Sequence, residues 1–307
     1  MRAFVGAACA AMVASAAFAQ ARAPGLAQCA STSPEVSIPA CTGVIATSTD
    51  NPALLLQAYN DRGLAYLTTR RFDQAIGDFD AVAKLEPNRP EPYKNRADAE
   101  AKLDHFDEAI TDYTHAIALD PKLAGAYSNR GIVYRRQGAY QDAIADFDQA
   151  VALKPDDAAA LSNRGAAYDH LGRSDQALAD LDQAIALDPG MAEAYYNRGL
   201  AQKHRGALAA AVADYGHALA IDPTYAEAYN NRGAIFDSQG RYDLAVADFT
   251  QAVRARPDYA LAYVNRGNSY VSKRMQDAAI ADFRKALTLD PGLHAATVGL
   301  KLLGVGP

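Results

Sequence analysis

Residues 124–155 read AGAYSNRGIVYRRQGAYQDAIADFDQAVALKP, and this stretch decides the fold. Its first half places Tyr127, Gly131 and Tyr134 on one helical face, and Gly138 then offers a turn. Its second half carries apolar residues at the i, i+3 and i+4 spacing of an amphipathic helix. It ends before a proline, which disfavours a helical residue ahead of it. The stretch predicts two short helices joined by a tight turn.

The same pattern recurs every 34 residues. A proline follows each copy's second helix: Pro87, Pro121, Pro155, Pro189, Pro223, Pro257 and Pro291. An arginine marks each first helix: Arg62, Arg96, Arg130, Arg164, Arg198, Arg232 and Arg266. An aspartate marks each second helix: Asp78, Asp112, Asp146, Asp180, Asp214, Asp248 and Asp282. Seven copies fill residues 56–293, and because one helix pair cannot bury its apolar face whereas stacked pairs can, this period predicts an all-α solenoid.

The residues that recur with this period resemble the consensus of the tetratricopeptide repeat (TPR) family. In the third copy they are Tyr127, Gly131, Tyr134, Ala143, Phe147, Ala150 and Pro155. The resemblance implies a right-handed superhelical solenoid of seven 34-residue helix-turn-helix repeats, with the first helices lining a concave face. It also implies that the chain binds another protein or a peptide. Single copies depart from the pattern, and we expect these departures to affect local packing only: Ala97, Glu100, Leu161, Leu181 and Gln202.

Composition excludes several other classes of protein. Of the 307 residues, 50% are apolar and 21% are charged, unlike a disordered chain. The net charge of −6 disfavours a nucleic acid as partner, because Lys and Arg supply most of the affinity for polyanions. The chain has no P-loop, no dinucleotide-type glycine motif and no Gly-x-Ser-x-Gly, and its six histidines are scattered. We therefore expect no enzymatic activity, cofactor or metal site.

The N-terminus has the pattern of a secretory signal peptide. Residues 4–17 form a nearly unbroken apolar run, and Ala17-Phe18-Ala19 fits the small-x-small cleavage pattern. The run is too short to span a bilayer comfortably, and no later segment is long and apolar enough to do so. Cleavage after Ala19 predicts a periplasmic or secreted bacterial protein; cleavage after Ala23 is an alternative. Lipidation at Cys9 is disfavoured, because Gly6 stands where a lipobox has a branched apolar residue.

Removal of the signal peptide leaves two cysteines, Cys29 and Cys41. An exported compartment is oxidising, so the pair is interpreted as a disulfide. Two buried thiols are the alternative. A redox-active pair is less favoured, because the spacing is not Cys-x-x-Cys.

The segments on either side of the repeats resemble caps. Within the N-terminal segment, 20–55, residues 37–45 look like a degenerate second helix with Cys41 in the place of Phe147. Pro34 and Pro39 predict short, distorted helices there. At the other end, residues 294–307 predict a capping helix. Three leucines of this helix are expected to cover the last repeat: Leu300, Leu302 and Leu303.

The joint recurrence of Arg and Asp favours a structural pair in each copy. Arg130 would pair with Asp146, or with Asp112 of the preceding copy, and would fix the register of the helices. The alternative is a row of arginines that holds an acidic ligand. We favour the structural interpretation, because each Arg comes with an Asp and buried charges need partners.

An asparagine stands before that arginine in six copies, with Asp61 in the first. This Asn column consists of Asn95, Asn129, Asn163, Asn197, Asn231 and Asn265. It resembles the asparagine ladder of the arm of O-linked N-acetylglucosamine transferase, where amides hold the backbone of an extended peptide. An amide offers a donor and an acceptor, as a peptide unit does, but it also suits a bond to the neighbouring helix. Both interpretations stay open.

Neighbouring positions vary from copy to copy, as expected of positions that set specificity. The candidates for peptide binding beside the Asn column are Lys94, Arg135, Arg136, Tyr196, Lys203 and His204. A patch that attracts anions is predicted from Lys102, Arg135, Arg136, Lys203 and His204, opposed by Asp98 and Asp169. A solvated face of mixed charge is the alternative. Lys94 and Asn129 match a chaperone-type carboxylate clamp only in part.

The sequence thus predicts a non-catalytic scaffold or adaptor that binds a protein segment in the concave groove. Two alternatives remain: a structural subunit that self-associates through the ends of the solenoid, and an accessory subunit of an envelope enzyme complex. The sequence does not identify the partner.

Overall fold

The computed structural model describes residues 25–306, and these residues form seventeen α-helices and no strand. The expected signal peptide and Cys9 lie outside the described residues. The all-α prediction is confirmed. The chain divides after Ala139 into two compact units.

The first unit contains the N-terminal cap and the repeats as far as the first helix of the third copy. Its helices are α1 (Leu26–Cys29), α2 (Pro34–Thr47), α3 (Pro52–Thr68), α4 (Phe72–Leu85), α5 (Pro90–Lys102), α6 (Phe106–Leu119) and α7 (Ala124–Arg136). Helices α3 and α4 form the first repeat, and α5 and α6 the second.

The second unit begins with the second helix of the third copy. Its helices are α8 (Tyr140–Leu153), α9 (Ala158–His170), α10 (Ser174–Leu187), α11 (Ala192–His204), α12 (Leu208–Ile221), α13 (Ala226–Ser238), α14 (Tyr242–Ala255), α15 (Ala260–Ser272), α16 (Gln276–Leu289) and α17 (His294–Leu302). Repeats four to seven are the pairs from α9–α10 to α15–α16.

The two helices of a repeat meet where a glycine faces a large apolar side chain sixteen residues later. A Cβ at Gly63 would lie 2.8 Å from the ring of Phe79, and one at Gly199 would lie 2.7 Å from the ring of Tyr215. Real Cβ atoms do not approach so closely, so the absence of a side chain sets the distance between the helices. Leu181 fills the same place opposite Gly165, which is why this departure from the aromatic consensus leaves the packing intact.

The predicted Arg–Asp pairs form within single repeats. Each guanidinium donates through Nε and Nη2 to both oxygens of the aspartate sixteen residues later, at 2.6–2.8 Å. The pairs are Arg62–Asp78, Arg96–Asp112, Arg164–Asp180, Arg198–Asp214, Arg232–Asp248 and Arg266–Asp282. Hydrogen bonding to Asp180 raises the pKa of Arg164, and the same cause acts in the other pairs. The structural interpretation of the two columns is therefore the one that the geometry supports.

The same arginines also reach the preceding repeat. Arg96 Nη1 donates to Asp80 at 3.0 Å, and Arg164 Nη1 donates to Asp148 at 2.7 Å. Arg130 makes the equivalent bond to the hydroxyl of Thr114. The partner in the preceding copy is thus two residues beyond the recurring aspartate, not that aspartate itself. One side chain joins the helices of its own repeat and also touches the repeat before it.

The N-terminal cap repeats this geometry in degenerate form. Arg62 Nη1 donates to Thr42 on α2 at 3.0 Å, as Arg96 does to Asp80. The structure joins Cys29 on α1 to Cys41 on α2 in a disulfide, with Cα atoms 4.6 Å apart. Helix α2 therefore stands in the place of a second helix.

The expectation that Pro34 and Pro39 shorten the cap helices is wrong for α2. This helix has 14 residues, as many as the second helix of a full repeat. Pro34 occupies its first turn, where the missing N–H has no helical acceptor to lose, and only Pro39 lies in the interior. Helix α1, by contrast, has four residues.

The C-terminal helix α17 covers the last repeat with Leu300 and Leu303. Leu300 is fully buried against Phe283, and Leu303 packs on the same cluster. The prediction for Leu302 is wrong, because its side chain is 79% exposed. A two-residue step turns a helix by roughly 200°, so Leu300 and Leu302 cannot share a face.

We expect Asp180→Ala to lower the free energy of unfolding by about 3 kcal/mol, because it leaves the half-buried Arg164 without its bidentate partner. The control is Asp148→Ala, which removes the more exposed partner of the same arginine and should cost less than about 1 kcal/mol. Urea denaturation followed by circular dichroism measures both. Equal small losses would show that the recurring pair contributes little to stability.

Candidate functional site

The first helices of each unit present one face that carries the Asn column, and we call it the groove face. In the first unit it belongs to α3, α5 and α7. In the second unit it belongs to α9, α11, α13 and α15.

The groove face of the first unit contains a pocket of about 350 Å³. Its apolar walls come from Leu67, Phe72 and Ile132, and Lys102 and Arg136 stand among its lining residues. Lys102 is exposed, whereas Ile132 is half-buried. The pocket therefore combines an apolar surface with nearby positive charge.

Asp98 is the polar centre of this pocket. Its Oδ1 accepts hydrogen bonds from the Tyr113 hydroxyl at 2.6 Å and from Asn129 Nδ2 at 2.7 Å. Its Oδ2 accepts one from Lys94 Nζ at 2.6 Å. Three donors from three helices thus hold one carboxylate on α5.

This arrangement corrects the partial match to a carboxylate clamp. Lys94 and Asn129 do hold a carboxylate together, but it is the internal carboxylate of Asp98. The Lys94 bond lies within α5, whereas the Asn129 bond joins α7 to α5. The apolar walls are the part of the pocket that these bonds leave accessible.

The amide nitrogens of the Asn column point mostly to the preceding first helix. Asn197 Nδ2 donates to Ser162 at 3.2 Å, and Asn265 Nδ2 donates to Asn230 at 2.9 Å. Asn163 donates instead to the carbonyl of Ala159 in its own helix. These bonds favour the interpretation in which the amides join neighbouring helices. Asn95 lies half-buried on α5.

In the second unit, the structure brings Tyr196, Lys203 and Asn231 together. Asn231 Nδ2 donates to the Tyr196 hydroxyl at 3.0 Å, and Lys203 Nζ donates to Asn231 Oδ1 at 3.3 Å. The ring of Tyr196 also packs on Tyr225, with ring centres 4.8 Å apart. Burial raises the pKa of Tyr196 to about 12.

The predicted basic residues are partly neutralised by internal acids. Arg136 donates to Asp104 and to the carbonyl of Ala101, and its guanidinium lies 4.8 Å from the ring centre of Phe106. His204 Nδ1 lies 2.9 Å from an oxygen of Asp169. These pairs reduce the net positive charge that the sequence suggested for this face.

A further basic residue of the prediction, Arg135, is half-buried on α7. Its Nε is buried without a hydrogen-bond partner among residues 25–306.

Sequence reasoning missed the role of the tyrosines at the large apolar position of the second helix. Only Tyr113 and Tyr215 carry a hydroxyl there. The Tyr113 hydroxyl reaches Asp98, but the Tyr215 hydroxyl is buried with no partner among the described residues, because Leu200 stands where the second copy has Asp98. Burial raises the pKa of both tyrosines far above its ordinary value. The sequence did contain a signal for the Tyr113–Asp98 hydrogen bond: Tyr113 stands where most copies have Phe, and an acid, Asp98, lies fifteen residues earlier.

Within 25–306, no group of three or more His, Cys, Asp or Glu side chains is arranged to hold a metal ion. No helix in the same range is long and apolar enough to cross a membrane.

The repeat geometry agrees with the sequence profiles of known families. A tetratricopeptide repeat profile matches residues 60–124, 94–158, 128–190 and 227–294, and a second TPR repeat profile matches 203–240. The chain therefore belongs to the tetratricopeptide repeat family. This fold is typically a non-catalytic scaffold for protein interactions.

Solved structures share the fold at low sequence identity. A tetratricopeptide repeat protein from Parabacteroides merdae ATCC 43184 is 20% identical with a TM-score of 0.65, and the match covers 81% of this chain and 98% of that one. A chain of the APC/C hetero-tetramer Cut9–Hcn1 is 15% identical with a TM-score of 0.69, and the match covers 90% of this chain and 53% of that one. PilW, a type IV pilus biogenesis factor, is 20% identical with a TM-score of 0.62, and the match covers 68% of this chain and 97% of that one. No curated protein matches the chain significantly in sequence.

We expect Tyr113→Phe and Tyr215→Phe to have opposite effects on stability. The first removes a hydrogen bond to a carboxylate and should cost about 1.5–3 kcal/mol. The second removes a buried hydroxyl without a protein partner, so the free energy of unfolding should stay the same or rise by about 1 kcal/mol. Urea denaturation of the wild type and the two variants measures these changes in the free energy of unfolding. A comparable loss in both would mean that the Tyr215 hydroxyl has a partner, such as a buried water.

Proposed function

We propose that the chain is a non-catalytic scaffold that holds a segment of another protein against its groove face. The pocket between α3, α5 and α7 carries this proposal, because it combines apolar walls with an exposed positive charge on the groove face. Its volume of about 350 Å³ lies within the range of pockets that enclose a ligand group.

The lining of the pocket suggests which part of the partner it takes. Leu67, Phe72 and Ile132 suit a bulky apolar side chain, whose burial stabilises a complex by about 1.5–3 kcal/mol. Lys102 stands exposed at the same pocket and favours an acidic residue next to that side chain. The partner segment is therefore proposed to combine an apolar anchor with a flanking acid.

The Asn column has a supporting part in this proposal. Four of its amides donate hydrogen bonds to other side chains of this chain: Asn129, Asn197, Asn231 and Asn265. The column keeps neighbouring first helices in register, and the pocket supplies the affinity.

We further propose that the protein acts outside the bacterial cytoplasm. The apolar N-terminal run and the Cys29–Cys41 disulfide support this location. The mass of the mature protein, measured without reduction, tests it. Cleavage after Ala19 and one internal disulfide are the expected result, and an uncleaved chain with free thiols would contradict it.

Selection of peptides from a displayed library of random twelve-residue sequences tests the groove. We expect wild-type protein to select peptides with a bulky apolar residue. Ile132→Asp should weaken their binding at least tenfold, because it places a charge in the apolar wall.

The matched control is Thr111→Asp, which adds the same charge at an exposed position of α6. It should leave binding unchanged, and circular dichroism should show that both variants are folded. Equal binding by wild type and the Ile132 variant would exclude this pocket as the binding site.

A further inference from the structure

A second pocket, of about 380 Å³, lies at the start of the groove face in the first unit. One wall is formed by residues 29–32, where the chain leaves α1. The other wall belongs to α3, with Asp61, Leu64, Ala65 and Thr68.

This second pocket occupies the same repeat positions as the first. Asp61, Leu64 and Thr68 correspond by the 34-residue period to Asn129, Ile132 and Arg136, two copies later. Residues 29–32 take the place of the preceding first helix. The groove face therefore begins with a pocket of the same construction but different chemistry.

The chemical difference centres on Asp61. Six later copies have an amide here, which donates hydrogen bonds, whereas Asp61 can only accept them. Its Oδ2 is buried with no hydrogen-bond partner among the described residues. Its Oδ1 receives only a long bond of 3.4 Å from Asn60.

The surrounding part of the chain does not supply a cation to this carboxylate. Residues 25–60 contain no Lys or Arg, and their charged side chains are Glu35 and Asp50. Arg62 is the next residue, but its guanidinium is held by Asp78 and Thr42. This end of the unit is therefore acidic.

The carboxylate of Asp61 thus has a single weak internal donor, and a cationic group in the pocket that Asp61 lines would compensate its negative charge. The aliphatic parts of Leu64 and Ala65 suit the alkyl stem of such a group, and the hydroxyls of Ser31 and Thr68 line the same pocket. We infer that this pocket receives a lysine or arginine side chain of the bound segment. The inference rests on the proposed function and assigns a basic residue to the part of the segment that lies nearest the N-terminal cap.

The test uses Asp61→Asn, which should fold because asparagine stands at this position in the other six copies. The library of random twelve-residue peptides is selected separately on the wild type and on this variant. The wild type should enrich Lys or Arg at one peptide position, and the variant should lose that preference while it keeps the preference for an apolar anchor. Asp50→Asn, an exposed neighbour with the same change of charge, is the control and should select as the wild type does.

A synthetic pair of peptides gives the quantitative form of the test. For a selected peptide, replacement of its Lys by norleucine should weaken binding to the wild type about tenfold and leave binding to Asp61→Asn unchanged. The same tenfold loss with both proteins would overturn the inference, because the lysine would then bind elsewhere.

Two further outcomes separate this inference from the proposed function. Selected peptides that depend on Ile132 but show no basic preference overturn the inference alone, whereas failure to select any peptide overturns both. A basic preference seen only in the variant Arg22→Ala would overturn the assignment to a partner, because the N-terminal segment of the chain itself would then fill the pocket.

Discussion

The structure depends on two adjacent contacts between the helices of each repeat. Each contact joins two residues that are sixteen positions apart in the sequence. In the first repeat, Arg62 holds Asp78 through two charged hydrogen bonds, and the next residue, Gly63, lies against the ring of Phe79. The polar contact is directional, so it fixes the rotation of one helix against the other. The glycine contact fixes their separation, because no Cβ fits in the space.

This constraint decides which residues face the groove. Once Arg62 and Gly63 are turned toward the second helix, the residue before the arginine points to the other side, where the Asn column and its neighbours lie. The contact positions are fixed in nearly every copy, whereas the groove position held by Leu64 in the first copy is Asp98 in the second and Ile132 in the third. The proposed specificity therefore resides in positions that packing within a repeat leaves unconstrained.

Much of this could be read from the sequence. The prolines and the Arg and Asp columns set the phase of the repeats, because each marks a position whose geometry recurs from copy to copy. The cap was harder to predict: Pro34 and Pro39 suggested disruption, yet Pro34 lies at a helix start, where proline is accepted. Leu302 was assigned to the core by composition, although helical spacing turns it to solvent.

The polar details of the groove face could not be predicted, since they depend on pairs of residues from different helices. Asp98 meets Tyr113 and Asn129 only after three helices have packed. The spacing of Asp98 and Tyr113 gives a signal along the chain, but the use of Lys94 and Asn129 on an internal carboxylate does not. The unpaired oxygen of Asp61 is likewise a property of the folded cap.

Site-specific photocrosslinking in living cells tests the central claim, that a partner lies on the groove face, most directly. Ile132 in the first pocket and Thr111 on the exposed side of α6 are each replaced by p-benzoylphenylalanine. We expect a covalent adduct with a second protein from position 132 and none from position 111. An adduct from position 111 alone would contradict the account, because the partner would then contact the second helices instead of the groove face.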